Sequence, residues 1–148
     1  MKILFAICSE SVSVDRYTNK LSIFSVVDRL ASTSFPFWMP RLCISLAVKR
    51  EDVDPAVVHA KLVMLLDERP IGTASAILPF QPDGMARIVI NTQLSVPAPG
   101  IVQFQLDTGT EQRMIAQITV QQISVADIPK QETQGIHPLT DTEEAAPL

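Results

Sequence analysis

Apolar and polar residues alternate along most of this chain with a period of two. Arg41–Val48 is the clearest case, with Leu42, Ile44, Leu46 and Val48 set against Arg41, Cys43, Ser45 and Ala47. Successive strand residues point to opposite faces, so the first set is predicted to face a core and the second to face water. Ile101–Asp107 repeats the pattern, with Val102, Phe104 and Leu106 inward and Gln103 and Gln105 outward. So does Gln112–Val125, with Met114, Ala116, Ile118 and Val120 opposite Gln117, Thr119 and Gln121. Leu62, Met64 and Leu66 share a face in Ala60–Asp67, and Ala86, Ile88, Ile90 and Leu94 share one in Met85–Leu94. Ile71–Leu78 completes this group of strands. Lys2–Glu10 is apolar on both faces, which predicts a strand covered on both sides. Lys20–Asp28 is read as a buried strand, with Leu21, Ile23 and Val27 on one side and Phe24 and Val26 on the other.

Turn chemistry separates these runs. Pro82-Asp83-Gly84, Pro97-Ala98-Pro99-Gly100 and Thr108-Gly109-Thr110 each interrupt the alternation with residues suited to tight turns. Glu68-Arg69-Pro70 is read as a further turn. Leu30–Pro40 is read as a loop, because Pro36 and Pro40 remove ladder donors. No long stretch has helical periodicity. The pattern predicts an all-β fold, a single antiparallel β-sandwich of about eight strands, with a closed barrel as the alternative.

Composition sharpens this picture. Charged residues make up 19% of 148, below the roughly 25% of a typical soluble chain. Residues 126–148 hold five acids (Asp127, Glu132, Asp141, Glu143, Glu144) against Lys130, so this tail carries the whole net charge of −4 and Met1–Val125 is neutral. The division is a 1–125 domain and a 126–148 acidic tail with three prolines, expected to be disordered because it has little to bury. A neutral body without a basic run argues against nucleic acid and against a membrane surface. Ile3–Cys8 is too short an apolar run for a signal peptide and reads as part of the first strand. Cys8 and Cys43 read as packed thiols of a cytoplasmic protein, and nothing in their spacing asks for a disulfide.

One set of motifs resembles a known family. Asn19-Lys20-Leu21 opening a strand, Asp28-Arg29 closing it, the following Phe35-Pro36, Leu65-Leu66-Asp67 before a turn, and the Pro97–Leu106 entry to a late strand are similar to a family of small bacterial proteins of unknown function. The resemblance implies a β-sandwich loosely like C2 or immunoglobulin-type domains, and it implies no activity. Members often have Gly where Ser25 stands and Asp-Gly where this chain has Asp67-Glu68-Arg69-Pro70, so that turn is expected to be built differently here.

No residue set announces a reaction. His59 and His137 have no ligand at metal spacing, and no nucleophile motif or phosphate loop is present. Glu51, Asp52 and Asp54 form an acidic loop, but Lys49 and Arg50 flank it, and it reads as solvated rather than as a calcium site. No cofactor is expected. The unusual feature is the aromatic stretch Phe35–Pro40, which holds the single Trp. Phe37, Trp38 and Met39 are the candidate protein-contact residues, since such side chains are enriched at interface cores. The expected function is non-enzymatic, through a protein partner or a homo-oligomer, most simply a dimer. The alternative is a small-ligand or loop-built enzymatic site, a calcium-binding C2-like module included, with Asp28 and Arg29, then Asp67 and Asp83, as its polar candidates.

Overall fold

The computed structural model describes residues 1–18 and 20–128. The expectation of a disordered tail lies outside them from residue 129 on. The described residues form nine strands: β1 (Lys2–Val14), β2 (Leu21–Val26), β3 (Arg29–Ser32), β4 (Phe37–Lys49), β5 (Val57–Leu66), β6 (Arg69–Pro79), β7 (Met85–Val96), β8 (Gly100–Asp107) and β9 (Gln112–Gln122). They form two sheets, ordered β2-β1-β4-β7 and β3-β9-β8-β5-β6. The fold is all-β, as the period-two pattern predicts. Three features depart from an eight-stranded antiparallel sandwich, the first being the ninth strand. The five-stranded sheet curls like half a barrel, and β3 pairs with β9 in parallel, Arg29 opposite Thr119 through Ser32 opposite Gln122.

The core lies between the sheets. Leu42, Ile44, Leu46 and Val48 of β4 meet Leu62 of β5, Phe104 of β8 and Ile118 of β9, all essentially sealed from solvent. Each such side chain contributes about 1.5–3 kcal/mol by leaving water. The alternation read in β4, β5 and β8 therefore places these residues correctly. Met114 is a correction. A register shift falls between Phe104 and Gln105, where β9 passes from Ala116 to Met114. One extra residue reverses the facing of the strand beyond it, so Met114 is exposed and Ile115 packs against the core.

The N-terminal hairpin brings the largest correction. β1 pairs with β4 as far as Ser9, and with β2 from Ser9 onward. Fully extended, the nine steps from Phe5 to Val14 would span about 30 Å. Yet Phe5, Val14 and Leu21 line one cavity together with Val89 of β7. The far half of the hairpin therefore turns back over the outer face of the four-stranded sheet. The bend sits where Glu10 faces Ser25; that pair drops out of the ladder, and Ser25 has φ +54°. Cys43, Ser45 and Ala47, expected to be wet, are buried beneath this flap. β2, expected to be buried, is itself the cover: Phe24 and Val26 are exposed, while Ile23 is half-buried.

The region read as the loop Leu30–Pro40 is mostly strand. It takes in β3 from Leu30 to Ser32, and from Phe37 it is the start of β4. Pro40 is accommodated because the β4–β7 register shifts between Met39 and Leu42, a bulge where a ladder donor is not needed. The turn read at Glu68-Arg69-Pro70 is tighter than expected. Only Asp67 and Glu68 separate β5 from β6, with φ +45° and +70°. These values define the hairpin turn that Asp-Gly normally makes, so the turn keeps that geometry without the glycine. β9 ends at Gln122, and Val125–Asp127 forms a short 3-10 turn.

Candidate functional site

Phe37, Trp38 and Met39 open β4, and strand alternation divides them. Phe37 pairs with Val96 and Met39 with Leu94, and both turn inward against the core. Both are half-buried, so Trp38 is the most exposed of the three candidate contact residues. Trp38, opposite Ser95, faces outward and is 61% exposed. Its indole Nε1 donates to Gln93 Oε1 at 3.3 Å, which fixes the ring over β7.

Beside the ring runs a groove of about 220 Å³, floored by Met64 and walled by Ile71, Gly72 and Thr73 of β6 and by Gln93 and Ser95 of β7. β7 ends one sheet and β6 ends the other, and they lie against each other without pairing. Both walls thus present backbone groups with no ladder partner on that side. Gly72 sets the depth of the groove, since a Cβ there would lie 2.7 Å from the Met64 methyl. A shallower hollow continues past Thr73 and Gln93 to Pro40 and Arg41. Sequence reading missed the β6 and β7 residues. The one available signal was Gly72, because glycine inside a strand often marks a close approach.

The polar candidates are not brought together. Asp67 is engaged at its own turn: Oδ1 accepts the Ile101 N–H at 3.2 Å, and Gly100 leaves the room, since a Cβ there would lie 2.5 Å from Asp67 Oδ2. Asp83 accepts the Met85 N–H at 2.9 Å at the other end of β6. Asp28 brings no side-chain contact to either; its backbone carbonyl accepts from Thr119, and Arg29 is exposed on β3. In the acidic loop, Glu51 and Asp54 pair with the Met1 ammonium, and Asp54 Oδ2 also accepts the Glu51 N–H at 2.9 Å. That backbone hydrogen bond, with the ammonium beside it, holds the Asp54 carboxyl below its ordinary range. Among the described residues, no group of three or more His, Cys, Asp or Glu is arranged to hold a metal ion.

Cys8 points into the core, and burial pushes its thiol up to about 12. Cys43 lies on the opposite face of the sheet, with Sγ 3.2 Å from Asn91 Oδ1. Strand geometry therefore keeps these neighbouring-strand thiols apart, and both are free. Among the described residues no helix is long and apolar enough to cross a membrane.

No curated protein matches this chain. A family match covers residues 4–121, from β1 to the penultimate residue of β9 and thus both sheets. The chain belongs to this family, described as a family of unknown function (DUF6941).

Proposed function

We propose that this domain is a non-catalytic protein-binding module, and that it takes an extended, partly apolar segment of a partner in the groove between β6 and β7. The observation that carries this reading is Trp38. A large aromatic residue sits outside the core while both its neighbours in the strand pack into it, and a hydrogen bond to Gln93 holds it in place. A pre-positioned indole loses little conformational freedom on binding and supplies the kind of anchor that dominates interface energetics. The bare edges of β6 and β7 add backbone donors and acceptors, as in strand-addition recognition.

In this reading the chain needs no cofactor. It is a bacterial, cytoplasmic sandwich loosely like C2 or immunoglobulin-type domains, and its two free thiols accord with reducing surroundings. The partner is another protein or a second copy of the chain. The test is solution mass across a concentration series, alone and with candidate partners, for the wild type and Trp38→Ala. A complex that the substitution abolishes supports the reading. A complex that survives it unchanged overturns the assignment to this groove.

A further inference from the structure

A second groove lies under the tip of the N-terminal hairpin, on the outer face of the four-stranded sheet. Its volume is about 310 Å³, at the small end of the roughly 300–1,000 Å³ range of ligand sites. Val14 and Leu21 hang over it from the hairpin, Phe5 and Val89 form its floor, and Arg87 closes one end. Phe5, Ala47 and Arg87 are directly opposed across β1, β4 and β7. In the next outward-facing row Lys2 stands opposite Lys49. Three cations thus gather at one end of an apolar trough, in a chain whose net charge is −4. Among the described residues none of the three is in an ion pair; Glu51, the acid nearest Lys49 in sequence, is engaged by the Met1 ammonium, and Asp83, the acid nearest Arg87, accepts the Met85 N–H.

We infer that this groove binds a small amphipathic anion, a carboxylate on an unbranched or aromatic hydrocarbon body, with the body between the hairpin and the sheet and the head on Arg87. Charge complementarity selects the head: a guanidinium offers paired donors that match a carboxylate, and Lys2 and Lys49 add a favourable field. The trough selects the body, because Val14, Leu21, Phe5 and Val89 offer no polar side-chain atom. The bend at Ser25 is what creates the site, since it lays the apolar side of the hairpin over the sheet. This inference rests on residues separate from the Trp38 groove, and its failure leaves that reading untouched.

Octanoate is the probe, with octylamine and acetate as controls, followed by calorimetry and by the methyl resonances of Val14, Leu21 and Val89. Octanoate is expected to saturate one site and shift those methyl groups, with neither control doing so. Arg87 is exposed, so Arg87→Gln is expected to leave the fold intact and to weaken octanoate about tenfold, the value of one charge-assisted hydrogen bond. Absence of saturable octanoate binding overturns the inference. So does equal binding of octylamine or acetate, or undiminished binding by Arg87→Gln.

Discussion

Ser25 stands opposite Glu10 with its backbone at φ +54°, and at that level the β1–β2 hairpin turns back over the sheet. A left-handed backbone costs a side-chain-bearing residue about 1–2 kcal/mol relative to glycine. Ser25→Gly is therefore expected to stabilise the protein by about 1 kcal/mol, read as a rise in the denaturant midpoint. Ser25→Val is expected to destabilise it and to loosen the hairpin, read as faster amide exchange at Val12 and Ile23. Glu68, at φ +70° in the β5–β6 turn, gives a second instance: Glu68→Gly is expected to stabilise by a similar amount, while Asp67 is left to hold Ile101.

The flap also accounts for Ser45. Its hydroxyl is completely buried, between Ile7 and Val89 on the covered face, and has no hydrogen-bond partner among the described residues. An unsatisfied buried polar group costs about 1–3 kcal/mol. Ser45→Ala is expected to raise stability by about 1 kcal/mol in equilibrium unfolding. A clear loss would mean that the hydroxyl has a partner and that the covered face is built differently.

Acid stability should depend on Asp54. Its carboxyl is held low first by the Glu51 N–H and then by the Met1 ammonium. Above the unfolded value of about 3.9 both states are ionised and the stabilisation is fully present. As pH falls through that value the unfolded chain takes up its proton first, and the contribution is gone once pH passes below the folded pKa. Asp54→Asn is therefore expected to lower stability at neutral pH and to flatten the decline below pH ~4, measured as midpoint against pH.

Trp38 should be dispensable for folding. Its ring is largely in water, so Trp38→Ala is expected to change stability by no more than about 0.5 kcal/mol. Phe104→Ala, at the centre of the core, is expected to cost about 3–5 kcal/mol. Trp38 is the sole tryptophan, so its emission reports on the site directly, and it should be solvent-like and readily quenched in the isolated protein.

Much of the fold is legible in the sequence because one physical rule governs it. Leu62, Met64 and Leu66, or Val102, Phe104 and Leu106, can satisfy a pleated strand only by facing one side, and they do. The rule fails where something outside the strand intervenes. Met114 changes face because a bulge inserts one residue opposite Phe104 and Gln105. Cys43, Ser45 and Ala47 look wet by alternation and are dry because a distant hairpin covers them. Arg29–Ser32 is too short to show a period, and only its parallel pairing with β9 makes it a strand. The site was half visible. Trp38 stood out by composition, but Pro36 and Pro40 concealed the strand that sends Phe37 and Met39 inward. Gly72, Thr73 and Gln93 lie too far along the chain for any local pattern to join them to Trp38.

Cross-linking from the groove itself is the most direct test of partner binding at Trp38. A photo-reactive residue at Thr73, exposed on the groove wall, is compared in the native cell with one at Gln121, exposed on β9. The expected result is a covalent adduct with a discrete protein, or with a second copy of the chain, from position 73 and not from 121, and its loss in Trp38→Ala. An adduct no stronger at 73 than at 121, or one that persists without the indole, would contradict it.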